Sequence, residues 1–187
     1  MEKKSGKVVE TELPEPLSPY GMTKLSGEHL CHVYRKSFGV PTVVLRFFTV
    51  YGPRQRPDMA FHRFIASILS DSAISVYGDG HQTRDFTYID DCVKAIASVI
   101  GAPNLTGETI NIGGRERASV TEVIALLEKL LQRKARIHFK PKADGEPLHT
   151  HADIAKARRL LQYEPQTSLL SGLQQEIDYI RDWNKIQ

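Results

Sequence analysis

The chain has 187 residues, 41% of them hydrophobic and 25% charged, with a net charge of +3. That is the make-up of an ordinary folded domain with room for a substantial core. The basic residues are scattered, which argues against a nucleic-acid or membrane-surface protein, and no apolar run reaches the ~20 residues of a membrane span.

Met1 to Lys7 carries positive charge with no apolar run behind it, so no signal peptide is expected. Cys31 and Cys92 lie in helical patterns and read as a buried, reduced pair of a cytoplasmic protein. Residues 1–17 are polar and then proline-punctuated (Glu12-Leu13-Pro14-Glu15-Pro16), a loop with a short extended piece at Lys7 to Glu10. Ser18 is a good N-cap, and Pro19 suits the first helical position. The helix they open runs to about Ser37, with Gly39 as its stop and Arg35 and Lys36 near the negative end of its dipole. Leu25, Leu30, Val33, Tyr34 and Phe38 are expected on its buried side.

Tyr20 and Lys24 stand four residues apart on this helix, so their side chains share one face. An ammonium close to a phenol favours the phenolate, which is how a tyrosine becomes a general base nearer neutrality. Alone, the pair fits equally a surface lysine beside a packed tyrosine.

Thr42 to Phe48 is a continuous β-branched and aromatic run, the pattern of a strand buried on both faces in a parallel sheet. Tyr51-Gly52-Pro53 ends it. A loop with Arg54 and Arg56 follows, and Asp58 is placed to cap a helix from Met59 to about Leu69. Ile74 to Tyr77 reads as a strand closed by a hairpin-like Gly78-Asp79-Gly80 turn. Arg84 to Ile89 reads as extended, and Asp90 and Asp91 introduce a helix to about Ile100. Thr109 to Ile112 is another strand, stopped by Gly113-Gly114. Ser119-Val120-Thr121-Glu122 forms a capping box for a helix to about Gln132. A strand at Arg136 to Phe139, an irregular loop from Pro141 to His151, a short helix capped by Asp153 and a last helix opened by Ser168 complete the chain.

Five stretches occur in order: Ser18 to Lys24, Arg46 to Pro53, Val76 to Asp91, Asn111 to Gly114 and Ala152 to Ala157. Together they resemble the extended short-chain dehydrogenase/reductase family, in its NAD-dependent nucleotide-sugar epimerase/dehydratase branch, and most of all the UDP-glucose and UDP-glucuronate 4-epimerases. The resemblance covers about Val9 to Trp183. It implies an α/β fold: an incomplete Rossmann-like parallel sheet with a small α/β substrate-binding domain. Residues 1–53 and about 85–114 would belong to the dinucleotide-binding domain, and about 54–84 and 115–187 to the substrate domain.

The resemblance also implies roles. Tyr20 would deprotonate the sugar 4-hydroxyl as hydride passes to NAD, and the 4-keto sugar would take hydride back on its other face. Lys24 would hold the nicotinamide ribose. Phe47 would lie against the nicotinamide, and Phe48 and Thr49 against the sugar. Tyr77 would contact the uracil and Arg84 the diphosphate, which suits a guanidinium fork. On the residues alone, Tyr77 also reads as a core aromatic, Arg84 as an ion-pair partner of Asp85 or Asp91, and Arg46 as half of a structural ion pair.

Three features depart from the branch. No Gly-x-x-Gly-x-x-Gly turn, the cradle for a dinucleotide pyrophosphate, occurs in the sequence. Ser5 and Thr11 precede Tyr20, yet neither follows an apolar strand, so the catalytic Ser/Thr role is left unassigned. Ala143 stands where the branch has a diphosphate-binding arginine, with Lys142 offering a point charge beside it. The expectation is therefore the C-terminal portion of an epimerase, inactive alone. Its uncovered strand should drive self-association or docking to a separate N-terminal half. A non-catalytic nucleotide-sugar-binding module, and the matching part of a dehydratase or decarboxylase, are the alternatives.

Overall fold

A computed structural model describes residues 6–142, 145 and 147–186, with side chains up to residue 182. Ser5, Ala143 and the Trp183 side chain lie outside the described residues. Ser18 opens the first helix: its Oγ accepts the Gly21 N–H at 3.1 Å, and Pro19 takes the first turn of α1 (Pro19–Phe38). Gly39, at φ 70°, ends α1 by donating its N–H to the Arg35 carbonyl, a left-handed cap that glycine adopts without steric cost.

β1 (Val44–Phe47) pairs in parallel with β5 (Thr109–Ile112), Arg46 opposite Asn111. Phe48 still donates its N–H to the Ile112 carbonyl at 3.0 Å. The next residues leave that sheet. β2 (Thr49–Tyr51) pairs in parallel with β4 (Thr83–Tyr88), and β6 (Glu116–Ser119) joins β4 antiparallel on its other side. A third, two-stranded sheet sets β3 (Ala73–Tyr77) parallel to β7 (Arg136–Lys140). The helices are α2 (Ala60–Leu69), α3 (Ile89–Gly101), α4 (Val120–Leu131), α5 (Ala155–Leu161) and α6 (Leu169–Ile186). The Ser119–Glu122 capping box of α4 is present in full. Asp153 Oδ1 accepts the Ala155 N–H at 2.8 Å at the head of α5.

Two apolar cores result. The larger joins Tyr51, Phe61, Ile65, Phe86, Tyr88, Leu127, Leu173 and Ile177, bringing α2, α4 and α6 onto the β2–β4–β6 sheet. The smaller packs α5 and Tyr163 on β5 through Ile110, Ile112, Ala157 and Leu161. At ~25 cal/mol per Å² of apolar area removed from water, such cores supply the main driving force for the fold.

The structure corrects five readings. The face of α1 that carries Leu30, Val33, Tyr34 and Phe38 is exposed, Phe38 at 71%, and α1 buries no residue. The amphipathic pattern is real, but no described element covers it. β1 is half-buried rather than buried on both faces, because among the described residues it is paired along one edge only. The run Thr42 to Tyr51 is two strands in two sheets, not one. Asp58 pairs with Arg56 at 2.9 Å and does not cap α2; Gln55 does part of that work, its Oε1 accepting the His62 N–H at 3.1 Å. The Gly78-Asp79-Gly80 turn links β3 to β4, which lie in different sheets, so it closes no hairpin. Arg46 is held as expected: its guanidinium grips Glu28 of α1 through Nε and Nη2 at 2.9 and 2.7 Å.

Candidate functional site

Two adjoining clefts and a groove collect the site residues singled out from sequence, Phe48 excepted. The outer cleft, about 260 Å³, lies between the end of β3, the start of β4 and Lys142, Pro147 and Leu148. Tyr77, Gln82, Arg84 and Lys142 line it. Tyr77 is no core aromatic: it is 47% exposed, with Lys140 Nζ 5.7 Å from its ring centroid, an arrangement in which the cation lies over the ring's negative face. Gln82 Nε2 donates to the Tyr77 carbonyl at 2.8 Å and fixes the turn beneath the ring.

Arg84 Nη1 donates to the carbonyls of Thr83 and Leu148 at 3.1 and 3.3 Å, which ties it to the opposite wall. Of the carboxylates suggested as its ion-pair partners, both oxygens of Asp85 and one of Asp91 accept backbone amides. Asp85 accepts the N–H groups of Gly114 at 2.6 Å and Ala152 at 2.9 Å. Asp91 accepts those of Gln166 and Thr167 at 3.2 and 3.0 Å.

The inner cleft, about 340 Å³, shares Tyr77, Gln82 and Arg84 with the outer one and adds Thr49, Asp58, Met59, Arg63 and Phe86. A flat base, a flexible sugar and a charged linker between them would find apolar walls, hydroxyl and amide partners and cations here, the usual make-up of a small-molecule site.

The groove, about 460 Å³, runs between α1 and β1 and is lined by Tyr20, Lys24, Glu28, Cys31, Val44 and Phe47, among others. Lys24 Nζ lies 5.1 Å from the Tyr20 ring centroid. The pair is open to solvent, Tyr20 at 71%. Phe48 lines neither the clefts nor the groove; its side chain packs against the Ile110–Ile112 core, because the chain turns there from one sheet to the next and points it inward.

Of two buried acids, the sequence reading named Asp85 only as a possible partner of Arg84 and did not name Glu176. Asp85 is 2% exposed, and burial raises its pKa against the pull of its two amides. Glu176, 1% exposed on α6, accepts the Gly52 N–H at 3.1 Å. Burial pushes its carboxyl up to about 8. The strand parity of Asp85, on the same face as the buried Thr87, was an available signal. For Glu176 none was.

A tyrosine–lysine helix beside the carboxyl end of a parallel strand, in a sheet of this α/β type, defines a Rossmann-like nucleotide-cofactor fold. Comparison with known proteins narrows the class. The model of the NAD dependent epimerase/dehydratase family matches residues 2–113, and the chain belongs to that family.

An uncharacterized UDP-glucose epimerase of Bacillus subtilis (strain 168), YtcB, is 61% identical over 178 residues, 95% of this chain and 56% of its own length. The UDP-glucuronic acid 4-epimerase of Bacillus cereus, solved with UDP-glucuronic acid and NAD, superposes with a TM-score of 0.95 at 56% identity. That match covers 97% of this chain and 58% of the epimerase. A dTDP-glucose 4,6-dehydratase from Bacillus anthracis, solved with NAD, gives 0.90 at 27% identity, covering 98% and 58%. The chain thus spans little more than half the length of the relatives it matches.

The groove suits one end of NAD only. Tyr20, Lys24 and Phe47 offer hydroxyl, cation and ring to a ribose and a nicotinamide. The 187 residues hold no glycine-rich turn for the pyrophosphate.

Proposed function

We propose that this chain forms the nucleotide-sugar side and the tyrosine–lysine pair of an NAD-dependent 4-epimerase acting on a UDP-linked hexose or hexuronic acid. One observation carries the reading: Phe47 lines the groove that holds Tyr20 and Lys24, and Thr49, two residues on, lines the cleft that holds Tyr77 and Arg84. A sugar seated at Thr49 is thereby brought toward the tyrosine hydroxyl while its diphosphate and base extend away along the clefts.

In this reading Tyr20 Oη takes the proton of the sugar 4-hydroxyl and returns it, and Lys24 holds the ribose and offsets the phenolate charge. NAD, when bound, supplies reversible hydride acceptance at the sugar carbon. Arg84 binds the diphosphate, with Lys142 adding charge from the far wall, and Tyr77 stacks on the base. Residues 1–53 and about 85–114, with α1 and the β1–β5 sheet, are the remnant of the dinucleotide-binding domain, and about 54–84 and 115–187, with α2, α4, α6 and the β3–β7 sheet, form the substrate domain. The open groove and the exposed face of α1 are where a further segment bearing the pyrophosphate cradle, or a second copy, would seat, and the chain alone is inactive. No helix among the described residues is long and apolar enough to cross a membrane; with Cys31 and Cys92 free, we place the protein in the cytoplasm. The 4-epimerase reading is preferred to the dehydratase one because the Bacillus cereus epimerase is twice as similar in sequence as the Bacillus anthracis dehydratase.

The test is calorimetry with UDP-glucose, UDP-glucuronic acid and NAD, followed by NMR of the sugar C4 configuration. UDP-sugar binding without turnover is expected for the chain alone. Turnover should appear on adding the N-terminal portion of the Bacillus subtilis relative. Failure to bind either UDP-sugar would overturn the proposal.

A further inference from the structure

Glu176 belongs to no cleft, yet it holds one in place. Its Oε2 accepts the N–H of Gly52, 124 residues away in sequence. Its Oε1 is buried with no hydrogen-bond partner. One turn earlier on the same helix, Gly172 leaves the space that the Tyr51 phenol fills, and a Cβ there would collide with it. Gly52 itself, at φ 131°, leaves no room for a side chain: a Cβ would lie 2.7 Å from Ile89 and 2.9 Å from Tyr88. Tyr88 Oη in turn donates to Gln175 Oε1 at 2.9 Å. Tyr51 and Gly52 are thus pinned between α6 and the head of α3.

What they begin is the connection from β2 to α2. Gln55 ties that connection to β2 through the Val50 carbonyl at 3.3 Å. Its far end, Asp58 and Met59, lines the inner cleft together with Thr49.

We infer that Glu176 is a positioning residue for the substrate cleft: from α6 it fixes Gly52, and with it the 52–59 wall, and ionisation of its carboxyl releases that wall. The groups facing it are Tyr51 from β2 and Tyr88 at the head of α3. Glu116 of β6 and Asp91 of α3 place further negative charge around Tyr51. None of these compensates a carboxylate. Burial is what raises the Glu176 carboxyl to about 8, and only the Gly52 amide opposes it.

The direction follows from linkage. The pinned state has the raised value and the opened state, wetted, the ordinary one of 4.5. The pinned state is therefore most favoured below 4.5, loses about tenfold in its equilibrium per pH unit up to about 8, and levels off above. The opening is a local one, drawn from the low end of the protein's stability range.

Hydrogen exchange on the full chain tests this, with rates corrected for the intrinsic pH dependence of amide exchange. In the wild type, protection of amides in 50–59 should fall about tenfold per pH unit between pH 5 and 8. In Glu176→Gln, which keeps an acceptor for Gly52 but cannot ionise, it should stay flat, with α4 amides equal in both proteins. Equal pH slopes for wild type and Glu176→Gln, or a parallel fall at α4, would overturn the positioning role. The link to substrate rests on the function proposed above and is read separately. With UDP-glucose at pH 6, Glu176→Ala should bind about tenfold more weakly while Glu176→Gln stays within twofold. A wild type that binds no UDP-glucose sinks the proposed function and leaves the exchange result to decide Glu176.

Discussion

Asp85 offers the sharpest test of how the clefts are framed. It is 2% exposed, and its two oxygens take N–H groups from two separate loops, Gly114 at 2.6 Å and Ala152 at 2.9 Å. Its own N–H goes to Thr150 Oγ1 at 3.2 Å. Asp85→Ala leaves two buried amides without acceptors, at about 1–3 kcal/mol each. Against this, burial dominates the Asp85 pKa, which is raised, so removing the charge also removes a desolvation cost. The amides win because two acceptors are lost at once, the Ala152 bond being fully buried and the Gly114 bond partly so.

We expect a loss of about 3 kcal/mol for Asp85→Ala, and about 2 for Asp85→Asn, whose single carbonyl answers one amide and whose NH2 faces the other. Urea denaturation followed by circular dichroism measures both. A raised folded pKa means the wild type's stability from this group is present below the unfolded value of 3.8 and lost as pH rises through the raised value. The gap between wild type and Asp85→Asn should therefore widen on acidification through that window. A loss under ~0.5 kcal/mol for Asp85→Ala would refute the reasoning, because ordinary surface substitutions fall in that range.

Gly172→Ala sets helix propensity, worth about 1 kcal/mol in favour, against collision with the Tyr51 phenol, about 1–3 kcal/mol against; we expect a net lower melting temperature, and a rise would mean Tyr51 does not rest on α6. Arg84→Ala should weaken UDP-glucose binding by about 10- to 100-fold in calorimetry, as loss of a charge-assisted pair does, with Arg84→Lys recovering part of it; unchanged affinity would remove Arg84 from the site. Tyr20→Phe should leave UDP-glucose affinity within about twofold and abolish C4 turnover in the complemented assembly, the pattern of a group acting in the transition state alone. Light scattering of the chain alone should give a mass above 21.1 kDa, falling to monomer when Leu30 and Phe38 are both changed to Glu; a clean monomer in the unaltered chain would show that the α1 face needs no cover.

Much of the fold was legible because its signals are local. Ser18 and Pro19, Gly39, and the Ser119–Glu122 box each announce a helix end through one side chain and one nearby amide. The passage from β1 to β2 was not legible. Thr42 to Tyr51 is rich in β-branched and aromatic residues throughout, with no glycine or proline to mark the change. What separates Phe47 from Thr49 is the partner each meets, Ile112 for one and Phe86 for the other. Strand identity there is a tertiary fact. The α1 face shows the converse: Leu30, Val33, Tyr34 and Phe38 were read correctly as an apolar stripe, but a stripe records the need for cover and not what supplies it.

The site divides along the same line. Tyr20 and Lys24 could be paired from their spacing, and the structure sets Lys24 Nζ 5.1 Å from the Tyr20 ring centroid; Tyr77 and Arg84, singled out by motif order, line one cleft. Asp85 and Glu176 hold backbone amides at sequence separations of 29, 67 and 124. An amide N–H is the same on nearly every residue, so a carboxylate that answers one leaves no complementary mark at the other end. The two glycines opposite them, Gly114 against Asp85 and Gly52 against Glu176, are the nearest thing to such a mark. At both, a Cβ would strike the packed chain, Phe86 in one case and Ile89 in the other. An inward acid with a crowded glycine as its amide partner thus recurs at two places: Asp85 ties the Gly114 and Ala152 loops to β4, and Glu176 ties Gly52 to α6.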